Sequence, residues 1–424
     1  MIIHVVQSGE TILSIADKYG VNADWLIQSN DIINPGNLVV GQPVLIVYPK
    51  QVHSVQEGDN LVSIAEEYGM TLKELLRYNP QLLDREYLYL GEEIIISYTD
   101  ERVGHIATNG YAYPYIDRSI LEKNLLYLTY LSIFSYTITE DGMLSEIDDT
   151  EIISLAKAYN VAPIMVIANT SSDGNIESEL LHNILNDPAK ANRLIESILS
   201  TLRQKGYYGL NLEASYIMNT DRELFFRLLN EVKDELHQEG FKLYVTITPS
   251  TFEQSLEGED ILATYTALGE ISDGIIVLSY SMGYSSEIPF ESTSVYLLQI
   301  LLEFALQKIP PEKILFGISS IGYIWRLPYI VGESRAVAIS NANAFQLAAD
   351  TGAVIYYNPR NLSSYFYFND PDLYLVYFHD VRGVYASLRI MTTYGLRGVG
   401  IWNVMYFLAQ TFLLIHTLYE IDEV

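Results

Sequence analysis

The run Gly206-Tyr207-Tyr208-Gly209-Leu210-Asn211-Leu212-Glu213-Ala214-Ser215-Tyr216 holds the residues of this chain best placed to do chemistry. Side chains two apart on an extended segment point to the same face, so Asn211, Glu213 and Ser215 stand in one row. A carboxylate in such a row can act as a general acid or base, or be a polar group satisfied by its neighbours. Other chemistries lack their residues. The chain has no cysteine, which removes thiolate, disulfide and zinc-thiolate chemistry. Its seven histidines are scattered without metal-ligand spacing, and neither a Gly-rich phosphate loop nor a G-x-S-x-G elbow occurs. No metal and no cofactor are therefore expected. His379-Asp380 would point to opposite faces of a strand and reads as a structural cap.

The elements that must position this row alternate. Strand-like runs at Leu128 to Tyr136, Ala162 to Asn169, Tyr208 to Tyr216, Lys242 to Pro249, Gly274 to Met282, Lys313 to Ile318, Tyr374 to Phe378 and Gly398 to Val404 are separated by helical periodicity. The predicted fold class is α/β, a (β/α)8 barrel with a small α+β insertion from Ala338 to about Asp372, and a doubly wound sheet is the alternative. One helix is bounded by Asp187-Pro188 and Gly206, and another by Thr220 and Glu223 at capping-box spacing. Catalytic groups of such a barrel sit at the C-terminal ends of its strands, where the Asn211 to Ser215 row would lie.

The N-terminus is organised differently. His4-Val5-Val6-Gln7-Ser8-Gly9-Glu10-Thr11 returns 49 positions later as His53-Ser54-Val55-Gln56-Glu57-Gly58-Asp59-Asn60. Ser14, Ile15, Ala16, Tyr19, Gly20, Leu26 and Asn30 recur at the same offset, and Gly41 recurs as Gly91 after one inserted residue. Each unit reads as β-α-α-β, closing at Val44 to Val47 or Ile94 to Ile96. The predicted domains are residues 1–49, 50–97 and 105–424.

Charge and termini bound the partners. With 53 acidic against 25 basic residues the net charge is -28, which disfavours nucleic acid and anionic membranes. MIIHVVQSGET has no basic segment followed by an apolar stretch, and no run of about 18 apolar residues follows. Synthesis as a soluble chain without a signal peptide is expected.

The repeated pattern V-x-x-G-[ED]-[TN]-[IL]-x-S-I-A-x-x-Y-G with a later L-x-x-x-N resembles the LysM domain across both repeats. That resemblance implies binding of N-acetylglucosamine-containing glycans, peptidoglycan or chitin, in a groove between two walls. The walls would be Gly9, Glu10 and Thr11 with Asn30 to Ile33, including Ile32, and Gly58, Asp59 and Asn60 with Asn79 to Leu82. The other reading is that Asn30 and Asn79 cap helices while the glycines turn the chain. Two weak modules gain avidity on a polymer.

The long C-terminal part resembles glycoside hydrolase family 18, whose signature strand reads D-x-x-D-x-D-x-E, and more closely the spore-associated members reading YYGLN-[IV]-DFEY. Tyr115 to Ser119, Leu131 to Tyr136, Ile309 to Leu315 and Tyr394 to Gly398 also look like the LysM-bearing, spore cortex-lytic N-acetylglucosaminidase group. In that family the last glutamate donates a proton, the substrate's N-acetyl oxygen is the nucleophile, and the preceding aspartate orients the acetamide. The pattern falls here on Tyr208, Asn211, Glu213 and Ser215, so the orienting aspartate is glutamate and the donor is serine. A serine hydroxyl is too weak an acid for that step, and Glu213 lies about 6 to 7 Å along the strand from the donor position.

Leu278-Ser279-Tyr280-Ser281 matches M-x-Y-[DE], which keeps the acetamide-contacting tyrosine as Tyr280 and puts Ser281 in the acidic place. Trp402 matches the tryptophan floor under the sugar, and Tyr136 joins Tyr280 and Trp402 among the sugar-contacting residues that the resemblance implies. Three functions stay open at this point: a glycan-binding protein impaired in catalysis, an active N-acetylglucosaminidase of spore cortex peptidoglycan or chitin oligomers, or a scaffold or regulatory protein. Spore coat or cortex, or the cell wall, is the location implied, with the cytoplasm as alternative and spore coat proteins as further partners.

Overall fold

The computed structural model of the chain describes residues 1–32, 34–168, 178–213, 219–248, 258–278, 295–330 and 333–424. The first repeat contains β1 (Ile2–Val5), α1 (Ile12–Tyr19), α2 (Ala23–Ser29) and β2 (Pro43–Ile46). The second contains β3 (Pro49–Ser54), α3 (Leu61–Glu67), α4 (Leu72–Tyr78) and β4 (Glu93–Tyr98). In each, the two strands pair antiparallel and the helices pack over them. Capping boxes at Thr11 with Ser14 and at Asn60 with Ser63 start α1 and α3 by satisfying amides that a helix start leaves without partners. Ile12, Ile15 and Ala16 are buried with Leu26, Val44 and Ile46, the single apolar face expected from their spacing.

Eight parallel strands then close a barrel: β5 (Gly104–Ala112), β6 (Tyr130–Tyr136), β7 (Ala162–Ala168), β8 (Gly209–Glu213), β9 (Lys242–Ile247), β10 (Gly274–Val277), β11 (Ile314–Ser319) and β17 (Gly398–Trp402). Each pairs with the next, and β17 pairs back onto β5 with Ala107 opposite Gly398. The crossover helices are α5 (Arg118–Leu125), α6 (Thr150–Ala158), α7 (Ser178–Leu185), α8 (Pro188–Lys205), α9 (Arg222–Gln238), α10 (Gly258–Ile271), α11 (Val295–Ala305) and α13 (Val381–Tyr394). The last helix, α14 (Ala409–Leu418), leads to β18 (Tyr419–Ile421), which pairs with the start of β5 beyond the reach of β17.

The barrel has the expected number of strands but not the expected membership. Its first strand, Gly104–Ala112, is not among the strand-like runs read from the sequence, because Thr108, Asn109 and Gly110 interrupt the apolar run. Thr108 is nonetheless buried, with its hydroxyl bonded to the Tyr127 carbonyl at 2.6 Å. Gly110 is required, since a Cβ there would come within 2.9 Å of Leu128 and Val404.

Tyr374 to Phe378, counted as a barrel strand from sequence, belongs instead to the insertion. That insertion begins earlier than expected, with β12 (Ile321–Arg326), and continues through β13 (Val337–Ser340), α12 (Asn341–Thr351), β14 (Tyr356–Asn358) and β15 (Ser363–Asp370) to β16 (Asp372–Phe378). Its five strands pair antiparallel in the order β13-β12-β16-β15-β14, and α12 packs Ala344 and Ala348 on their Phe366, Val376 and Phe378 face.

Helix boundaries follow local chemistry. Asp187 caps α8 through the amides of Ala189 and Lys190, Pro188 opens it, and Gly206 ends it at φ 72. The capping box expected of Thr220 and Glu223 does not form: residues Asn219–Asp221 make a 3-10 turn, and α9 starts one residue later than that box required. Asp221 turns inward and bonds His182 at 2.8 Å.

Candidate functional site

Alternate residues of the barrel strands fill its interior. Tyr111, Tyr130, Phe134, Tyr244, Ile276, Leu315 and Trp402 form one buried cluster inside the ring of strands, separate from the larger core between strands and helices. Within it, three hydrogen bonds close a triangle. The Asn211 amide donates to the Tyr111 hydroxyl at 2.8 Å, Tyr111 pairs with the Thr246 hydroxyl at 2.8 Å, and Thr246 donates to the Asn211 carbonyl oxygen at 3.1 Å. This ring of neutral groups fixes the rotamer of Asn211 two residues before Glu213.

Glu213 ends β8 on the same inward face, between Ala168 of β7 and Thr246 of β9. It is 1% exposed, and burial pushes its carboxyl up to about 8. Burial first, and to a smaller extent the nearby Glu213 carboxyl, holds the phenols of Tyr111 and Tyr113 in the neutral form. Among the described residues of the eight barrel strands, Glu213 is the only acidic one.

Trp402, at the C-terminal end of β17, packs on Phe134 at 4.9 Å and Tyr111 at 5.2 Å between ring centroids, with Tyr113 at 6.4 Å. The structure thus gathers Asn211, Glu213 and Trp402 at one end of the barrel. Ser215, Tyr280 and Ser281 lie outside the described residues, as does Ile33 of the first repeat.

Tyr136 departs from its expected place. The β6 register shifts between Ile133 and Tyr136, and the side chain joins the outer core rather than the barrel interior. Its hydroxyl donates to Asp149 at 2.6 Å, and Tyr207 and Lys205 complete the partners of that buried carboxylate. Tyr136 is therefore part of a structural network and is corrected from a sugar contact. His379-Asp380 is likewise not inside a strand. Asp380 caps α13 through the Arg382 amide, and it accepts from Ser364 at 2.6 Å and from the Arg382 guanidinium.

Tyr111, Tyr113, Phe134 and Thr246 went unnoticed in the sequence. The alternation of Tyr111 and Tyr113 is the available signal, masked by the polar residues Thr108 and Asn109 that precede it.

In the repeats, the expected groove walls divide into turns and buried pins. Gly9 and Gly58 adopt φ 83 and φ 95, which only glycine accommodates without strain. Glu10 accepts from the Gln7 amide and pairs with His4 at 2.7 Å, and Asp59 does the same with the Gln56 amide and His53 at 2.8 Å. Thr11 and Asn60 cap the helices that follow.

The asparagines point inward. Asn79 donates to the carbonyls of Leu75 and Ile95 and accepts from the Ile95 amide at 2.9 Å, and Asn30 makes the corresponding bonds to Leu26 and Leu45. Asn30, Ile32, Asn79 and Leu82 are all buried, so these four side chains help hold the repeats together.

The repeats also dock on the barrel. Ile355 donates to the Val40 carbonyl at 2.9 Å, Gln410 donates to Asn30 and Pro43, and Arg77 donates to the Leu126 carbonyl at 2.6 Å.

Comparison with known proteins agrees with this geometry. The family model described as Glycosyl hydrolases family 18 matches residues 95–406, and the LysM domain model matches residues 4–47 and 53–97. A protein of Bacillus subtilis described as a cortical fragment-lytic enzyme is 31% identical, over 98% of this chain and 97% of its own length. One of Bacillus anthracis with the same description is 30% identical over 94% of each chain. The crystal structure of the Bacillus megaterium spore cortex-lytic enzyme SleL superposes with a TM-score of 0.80 at 26% identity, covering 100% of this chain and 99% of that one. A barrel of this topology with its carboxylate at the end of β8, preceded by two such repeats, makes the chain a member of glycosyl hydrolase family 18 that carries tandem LysM domains.

Proposed function

We propose that this protein binds N-acetylglucosamine-containing glycans of the spore cell wall, peptidoglycan or chitin-type chains, with the hydrolytic step of its family impaired. Glu213 carries the reading: among the described residues of the barrel strands it is the only acidic one, and it is 1% exposed. The donor position of the family pattern holds Ser215, and loss of a positioned general acid lowers a rate by about 10²- to 10⁴-fold. The aromatic cluster around Trp402 persists, which supports sugar binding without chemistry. The spore cortex-lytic and cortical fragment-lytic relatives support placement at the spore cortex, and spore coat proteins are proposed as further partners. In this reading residues 1–49, 50–97 and 105–424 act as two glycan-binding modules and a barrel.

One observation favours residual N-acetylglucosaminidase activity instead: a carboxyl raised to about 8 keeps its proton at neutral pH and so has one to give. The deciding experiment follows release of reducing ends and muropeptide fragments from spore peptidoglycan and chitin oligomers. Wild type, Glu213→Gln and a Glu213→Asp, Ala214→Phe, Ser215→Glu restoration are compared. Capture of the glycan without turnover by wild type, and turnover by the restored variant, is expected. Wild-type turnover that disappears in Glu213→Gln would replace this reading with the enzymatic one.

A further inference from the structure

Away from Glu213, a cavity of about 200 Å³ opens where the two repeats meet the barrel. Both repeats line it through the same part of their fold: Trp25 and Gln28 come from α2 of the first, and Tyr78 at the end of α4 and Gln81 in the 3-10 turn after it come from the second. Lys123 of α5 and Phe407, which follows β17, complete it from the barrel. Neither repeat forms this space alone.

The lining selects a chemical class. Trp25, Tyr78 and Phe407 are partly buried, and they offer apolar ring surface while Gln28 and Gln81 offer amide donors and acceptors. An anion finds no spare cation here. Lys123 is paired with Asp84 at 2.6 Å, Arg77 is committed to the Leu126 carbonyl and to Glu423, and Asp31 adds a further carboxylate. A neutral ligand with both apolar faces and hydrogen-bonding groups remains, in a volume below the roughly 300–1,000 Å³ of sites for drug-sized molecules.

We infer that this junction is a composite subsite for one neutral N-acetylhexosamine unit, shared by both repeats and the barrel. The inference rests on the glycan-binding reading above and adds a place where the two repeats act as one. Because the ligand touches all three parts, binding there stabilises their docked arrangement.

The test uses the full chain and N-acetylglucosamine with its tetramer as probes. In a Trp402→Phe background the tryptophans left are Trp25 and the fully buried Trp325, so an emission change on titration reports the junction. Calorimetry then compares wild type with Gln28→Phe, which fills the space, and Phe407→Ser, which removes a ring, each checked for an unchanged melting temperature. An emission change with a tenfold or greater loss of affinity in both variants is expected. Wild-type affinity in both, or no emission change at saturating sugar, overturns the subsite. Capture of spore peptidoglycan by wild type is measured alongside: its persistence in that case leaves the glycan-binding reading standing, and its absence removes that reading as well.

Discussion

At the scale of single residues, Glu213 combines an acidic side chain with near-complete enclosure, and the consequence is a stability that depends on pH. Its carboxyl titrates near 4.5 when exposed and at about 8 when buried. Between those values the folded chain keeps a proton that the unfolded chain has released, so stability falls as pH rises through this window and levels off above it. Glu213→Gln keeps the shape without the ionisation. Its stability relative to wild type should therefore be unchanged or slightly altered at pH 5 and grow towards pH 8, by about 1.4 kcal/mol per pH unit at most. Urea unfolding of both proteins at pH 5, 7 and 8.5 measures this, and a constant difference across the series would show that the carboxyl is solvated.

At the scale of elements, the same device appears twice. Each repeat ends its second helix with an asparagine whose amide reaches the helix carbonyl four residues back and both backbone groups of the closing strand. The helix is thereby locked to the strand, and removal of the amide leaves buried backbone groups without partners. Each such group costs about 1–3 kcal/mol. Asn79→Ala should therefore destabilise the second repeat by roughly 2–4 kcal/mol, seen as faster hydrogen exchange in α4 and β4 while β8 and β9 of the barrel stay protected.

At the scale of the whole molecule, the repeats are not beads on a string. Residues Val39 to Gly41 of the first lie against the insertion, and a Cβ on Gly41 would stand 1.9 Å from the Ile355 carbonyl oxygen. The equivalent Gly91 has nothing within 4 Å of that position, and its neighbours Tyr89 and Leu90 are exposed. Both glycines have positive φ, 89 and 79, so substitution by alanine imposes a similar backbone cost of about 1–2 kcal/mol at each. Gly41→Ala should in addition release the first repeat from the insertion, raising protease cleavage and hydrogen exchange across residues 34–46 and α12. Gly91→Ala should leave the docking of its repeat intact, and equal effects of the two would contradict a fixed docking of the first repeat.

The sequence by itself determined whatever a local pattern can carry. The repeat at 49 positions, the Asp187-Pro188 to Gly206 helix and the inward row of Asn211 and Glu213 depend on spacing, capping and strand alternation, and the fold keeps them. Tertiary structure decided membership and orientation. Gly104–Ala112 becomes a barrel strand because Thr108 and Asn109 find partners across the sheet, which no window of sequence displays. Tyr136 turns outward because the register of β6 shifts, and Asn79 turns inward because β4 brings Ile95 to it. The burial that raises the Glu213 carboxyl comes from residues far apart in the chain, and only the closed barrel brings them together.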